Sequence, residues 1–111
     1  MLDKTLSYAR DHREPFLKDL LDLIAIPSVS AQPNHAQDVR HAAEWLTAHL
    51  QHIGFTASVM ETGGNPVVYA EHLGAGPDKP TILVYGHYDV QPPSHLSCGR
   101  AMRLRPRSAT V

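Results

Sequence analysis

Cysteine is nearly absent: Cys98 stands alone among 111 residues. One thiol forms no internal disulfide and supplies no Cys-rich zinc module. Long apolar runs are missing too. Asp22 interrupts the stretch from Leu20 to Ile26, and Thr81 to Tyr85 is short. A membrane-spanning helix needs about 20 apolar residues. The amino terminus, MLDKTLSYARDHRE, mixes both charge signs and has no apolar segment, so no signal peptide is expected. A reducing cytoplasm is the default expectation. Net charge is only −1. No global field therefore draws the chain to nucleic acid or to a membrane.

What is present suits one globular unit. Apolar residues make up 42% and charged residues 19%, enough for a packed core and too apolar for wholesale disorder. The charge is unevenly spread. Residues 1–93 carry six basic and eleven acidic side chains, whereas residues 94–111 carry Arg100, Arg103, Arg105 and Arg107 and no acid. The sequence thus divides into a body, 1–93, and an Arg-rich tail, 94–111.

Residues 3–26 read as helix, interrupted near Asp11 or His12, with Pro15 either kinking it or opening a second helix. Pro27 ends that stretch. Residues 35–53 have the clearest helical period: Val39, Ala42, Ala43, Leu46, Leu50 and Ile53 form one stripe. Asn34 is the expected N-cap and Gly54 the expected left-handed terminator. Strands are expected at Phe55–Glu61 and Pro66–His72, separated by the turn signal Thr62-Gly63-Gly64-Asn65. The run Thr81-Ile82-Leu83-Val84-Tyr85 suits a third strand, buried on both faces. The fold class expected is α/β, with N-terminal helices packed on a small mixed sheet.

Chemistry concentrates just after that run, at Gly86-His87-Tyr88-Asp89. In open α/β sheets, ligands gather at the carboxyl ends of strands. His87 and Asp89 are two apart and point to the same side of an extended chain. A metal-bound imidazole usually gives its other N–H to a carboxylate, which fixes the tautomer. His-x-Asp can supply both the ligand and that carboxylate. A polar pair at a strand end, without metal chemistry, is the plainer alternative.

The segment Thr81-Ile-Leu-Val-Tyr-Gly-His-Tyr-Asp-Val-Gln-Pro92 closely resembles the first metal-site segment of the zinc-dependent aminoacylase/carboxypeptidase G/succinyl-diaminopimelate desuccinylase peptidase family. Its Gly-His-Tyr-Asp-Val-Gln-Pro form is similar to the dipeptidase, carnosinase-like branch. Phe16–Ser30, ending Ile26-Pro27-Ser28-Val29-Ser30, resembles the family's first helix and the turn after it. Ala42–Gly54 resembles its second helix. The resemblance implies the start of a zinc-peptidase catalytic domain that hydrolyses a peptide or N-acyl amide bond with a metal-activated water. It implies His87 as a ligand to one of two zinc ions and Asp89 as the carboxylate that orients it. A small peptide substrate is implied; no nucleic-acid or membrane partner is expected, and the oligomeric state stays open.

The family's other ligands and its Glu base fall downstream of this segment. One imidazole does not hold zinc, which takes about three protein ligands plus water. The chain alone is therefore expected to be inactive, and a non-enzymatic fragment or interaction module is the alternative reading. The resemblance breaks at Ser94, where the family continues into Glu-Leu-Trp. If Leu96, Ser97 and Cys98 are encoded CTG AGC TGT before GG, a shifted frame reads Glu-Leu-Trp. The tail is therefore expected to be frame-shifted or disordered, and other codons at those positions remove the argument. Weak nucleic-acid binding by its four arginines is the lesser alternative.

Other candidates carry blander readings. His41, His49 and His52 share a helix flank with Trp45, read as solvated, with a stray metal at His49 and His52 as the alternative. His12, His35, His72 and His95 show no partner pattern and read as surface residues. Cys98 lies near Arg100, which lowers a thiol pKa, but no base accompanies it and no catalytic role is expected.

Overall fold

The computed structural model describes residues 1–92. The tail from Ser94, with Cys98, His95 and the arginines, lies outside the described residues. Three helices and one strand pair follow in order: α1 (Leu2–Asp11), α2 (Arg13–Ile24), α3 (Ala36–His52), β1 (Thr56–Met60) and β2 (Val67–Glu71). This is an α/β arrangement, as expected. Among the described residues no helix is long and apolar enough to cross a membrane.

The helical break falls at His12. Its backbone N–H and its Nδ1–H both donate to the Tyr8 carbonyl, at 3.0 and 2.9 Å. These bonds close α1, whose last carbonyls have no helical donors. Pro15 then sits in the first turn of α2, where a missing N–H costs nothing. His12 also stacks on Tyr8, with ring centroids 3.8 Å apart, and lies near Phe16. It is half-buried and partnered, which corrects its reading as an isolated surface residue.

The start of α3 differs from expectation as well. Pro33–His35 form a short 3-10 turn, so His35 rather than Asn34 precedes the helix. No side chain caps the helix by bonding its backbone. Instead His35 Nδ1 meets Asp38 Oδ2 at 2.7 Å, so His35 also has a partner that its spacing did not announce. The far end matches expectation. Gly54 adopts φ +100°; Phe55 N–H bonds the Leu50 carbonyl and Gly54 N–H the Gln51 carbonyl, each at 3.0 Å. That pair of bonds is a Schellman ending, and its positive φ favours glycine.

Strands β1 and β2 pair antiparallel, with Ala57 opposite Ala70 and Val59 opposite Val68. These four residues are half-buried, while Thr56, Ser58, Met60, Val67 and Tyr69 face outward. The sheet covers α3 with one face, and the alternation follows from the two-residue period of a strand. Arg40 on α3 reaches the end of this pair, with one guanidinium nitrogen 2.6 and 2.8 Å from the two Glu61 oxygens. Both partners are exposed, so the contact sets direction more than stability.

The core is small: Ile26, Val29, Val39, Ala42 and Ala43 are buried, with Ser28 and Thr47 beside them. Three of the stripe residues are therefore buried as read. Leu46 and Leu50 are only half-buried and Ile53 is exposed. Thr47 joins the core because its hydroxyl donates to the Ala43 carbonyl at 2.8 Å, which satisfies the polar atom.

The expected third strand is absent. Thr81–Tyr85 form no strand, and Ile82, Leu83, Val84 and Tyr85 are 83–93% exposed. Among the described residues the sheet has two strands, and a separate isolated parallel bridge links Val29 to Val90. A strand is stable through its neighbours, and no described element lies alongside residues 81–85 to pair with them. The apolar sequence is there, but the partners that burial requires are not.

Candidate metal centre

Chain order alone does not bring residues 28–30 to residues 88–90; hydrogen bonds between the two segments do, and a further one ties Tyr88 to the residue before β2. The Val90 N–H donates to the Ser28 carbonyl at 3.0 Å. Ser28 Oγ donates to the Tyr88 carbonyl at 3.0 Å. Tyr88 Oη donates to the Pro66 carbonyl at the start of β2. The turn after α2 is itself fixed, because Val29 is wholly buried and the Gln32 N–H returns to the Val29 carbonyl. A fully buried valine thus stands between the two serines that bond Tyr88 and Asp89.

Asp89 is held from both sides. Ser30 Oγ donates to its Oδ2. The His87 Nδ1–H donates to its Oδ1 at 3.1 Å, shared with the Asp89 carbonyl at 3.1 Å. An ionised carboxylate and a carbonyl only accept, so Nδ1 must carry the proton. The Nε2 lone pair is then free. The His87 side chain is 80% exposed and that of Asp89 33%, so the ring reaches solvent from a carboxylate that is only partly exposed.

The electrostatics agree with that geometry. The Ser30 hydroxyl, helped by the His87 ring, holds the Asp89 carboxyl below its ordinary value of 3.8, although partial burial opposes it. Burial raises the neighbouring Tyr88 phenol, with the Asp89 charge adding and Arg40 opposing. A lowered folded-state pKa stabilises the fold fully above the ordinary value. That stabilisation is lost as pH falls through the folded value. Asp89→Asn should therefore lower the melting temperature near neutral pH, and its difference from the natural chain should shrink below about pH 4. Thermal melts across pH check this; a constant difference down to acid contradicts it.

The two residues singled out in the sequence, His87 and Asp89, are thus brought together. Ser28 and Ser30 were not singled out. Their signal lay in Ser28-Val29-Ser30, where alternation sends Val29 one way and both hydroxyls the other. The histidine flank of α3 resolves differently. His49 stacks on Trp45 at 5.1 Å, and its Nδ1 lies 4.0 Å from Asp19 Oδ2 on α2. Among the described residues no group of three or more His, Cys, Asp or Glu is placed to hold a metal ion.

Whether the site suits a metal is a question of donor chemistry. An exposed imidazole with Nδ1–H anchored on a carboxylate and Nε2 open is the form a ligating histidine takes. His87 fits that form as one ligand. A complete zinc site takes three or four, so the described residues fit a part of such a site.

Comparison with known proteins finds relatives that are dipeptidases, several of them metallodipeptidases. The chain is 34% identical over 84 residues to the cysteinylglycine-S-conjugate dipeptidase of Corynebacterium striatum, covering 73% of this chain and 18% of that protein. It is 36% identical over 89 residues to the Cys-Gly metallodipeptidase DUG1 of Candida albicans, covering 69% and 18%. To the Beta-Ala-His dipeptidase of Mus musculus it is 34% identical over 105 residues, covering 83% and 21%. Over their amino-terminal region, the chain is a homologue of these dipeptidases, which bears out the family resemblance. It spans about a fifth of the length of the relatives it matches. No family model and no solved structure matches it.

Proposed function

We propose that this chain supplies the first part of a dipeptidase catalytic domain, with His87 as a zinc ligand and Asp89 as the carboxylate that orients it. The observation that carries the reading is the His87–Asp89 contact at 3.1 Å, tied through Ser30 to the turn that buries Val29, in a homologue of metallodipeptidases. His87 would bind through Nε2, and Asp89 would keep the Nδ1 proton and raise the basicity of the ring. Zinc, two ions in the complete site, supplies an activated water for attack on an amide carbonyl. The substrate class is small peptides. The near-zero net charge fits such a role better than nucleic-acid binding, and the single cysteine fits a cytoplasmic setting.

The remaining ligands and the base belong, in this reading, to the part of the relatives that the chain does not span. A paired experiment tests it. The 111-residue chain with added zinc should show no turnover on a panel of dipeptides. A chimera in which residues 1–92 replace the matching segment of the Candida albicans relative should hydrolyse Cys-Gly. Turnover by the chain alone that survives repurification, or a folded, zinc-loaded chimera without turnover, overturns the proposal.

A further inference from the structure

We infer that Ser30 is a positioning residue for this site: its hydroxyl, seated on Asp89 Oδ2, fixes the carboxylate so that His87 keeps its proton on Nδ1 and presents Nε2 outward. The inference rests on the reading of His87 as the ligand and adds a residue that the relatives' names do not assign.

The terminal torsion of an aspartate is broad and roughly two-fold, so one hydrogen bond from the imidazole does not fix it. Ser30 is the one described partner of Asp89 Oδ2. Ser30 is half-buried. It follows Val29, which is fully buried, and Ser28, which bonds both Val90 and Tyr88. The hydroxyl therefore comes from backbone anchored by a buried valine and acts on a residue 59 positions away.

The consequence reaches the ring. With Ser30 in place, Oδ1 faces the imidazole and Oδ2 is occupied. Without it, Oδ2 loses its donor and the partly exposed carboxylate turns toward water. The His87 N–H then keeps only the Asp89 backbone carbonyl at 3.1 Å as an acceptor. A neutral imidazole follows the hydrogen bond its other nitrogen makes, so the proton then redistributes toward Nε2. A ring protonated on Nε2 cannot ligate through that atom.

The experiment reads the tautomer directly and uses neither metal nor activity. Long-range proton–nitrogen correlation spectra of the ¹⁵N-labelled 111-residue chain are recorded at about pH 8.5, where imidazoles are neutral. His87 is assigned by its loss in His87→Gln. The natural chain should show His87 protonated on Nδ1. Ser30→Ala should lower the ratio of Nδ1–H to Nε2–H roughly tenfold, the change that losing one hydrogen bond produces. Ser30→Thr and Ser30→Val share their shape and differ in the hydroxyl: Thr should restore the natural ratio and Val should not. The Val90 amide shift reports that the turn is intact in each. An unchanged ratio in both Ala and Val variants overturns the role of Ser30 and leaves the reading of His87 standing. A natural chain already protonated on Nε2 overturns both.

Discussion

Val29→Asp unfolds the chain, while Val84→Asp leaves it as stable as before or nearly so. The two valines differ in surroundings and not in chemistry. Val29 has no exposed surface; Val84 is 86% exposed. A carboxylate at position 29 would be buried without a cation, and such a group either stays charged at high cost or takes up a proton. The loss exceeds about 4 kcal/mol. A domain of this size holds only roughly 5–15 kcal/mol in total. Its small core, five buried apolar residues, argues for the lower end. The Val29–Val90 bridge and the bonds from Ser28 go with it, so the candidate site dissolves along with the fold. At position 84 the substitution changes stability by less than about 0.5 kcal/mol. Urea unfolding of both variants checks the contrast. Equal losses would mean that Ile82–Tyr85 are buried after all, as their sequence suggests.

That contrast marks where local sequence stops being informative. The α3 helix was legible because its period is local: Val39, Ala42 and Ala43 recur at helical spacing and the structure buries them. Gly54 was legible for the same reason, since the chain must turn there whatever surrounds it. The β1–β2 pair was legible from two short runs and the glycines between them. Burial of Thr81–Tyr85 depends instead on neighbours, and apolar side chains state a need without supplying the partner that meets it. Asn34 failed as a cap for a smaller reason: Pro33 starts a 3-10 turn that moves the helix start past it.

The candidate site divides in the same way. His87 and Asp89 lie two residues apart, and extended backbone alone brings them to one side. The hydroxyls that complete the arrangement come from residues 59 and 60 positions earlier. No spacing rule spans that distance. What couples the two segments is the turn around the buried Val29, whose alternation sends both flanking hydroxyls to the opposite side, onto Tyr88 and Asp89. Stability and site are therefore one feature: the buried turn is also the turn that holds the carboxylate beside His87.

Within the chimera that tests the proposed function, His87→Ala should lower Cys-Gly turnover to background and reduce the zinc content measured on the purified protein. The ligand supplies a bond that no neighbouring group replaces, because no other His, Cys, Asp or Glu among the described residues joins His87 and Asp89 in a metal-binding group. Asp89→Asn should be milder, about 10–100-fold in activity or zinc affinity, the range seen when the group behind a metal-bound imidazole is altered. An asparagine oxygen still accepts from Nδ1–H, but it carries no charge to raise the ring's basicity. Asp89→Ala removes the acceptor as well and should fall between the two. The ordering matters more than any one value. If Asp89 acted only by holding the 88–90 strip to the turn, its variants would lose thermal stability in proportion to activity. If it also acts on the imidazole, Asp89→Asn loses zinc affinity and activity well beyond what its loss of melting temperature accounts for, and the deficit persists when the assay is run far below the melting point. A His87→Ala chimera that keeps its zinc and its turnover removes His87 from the metal site.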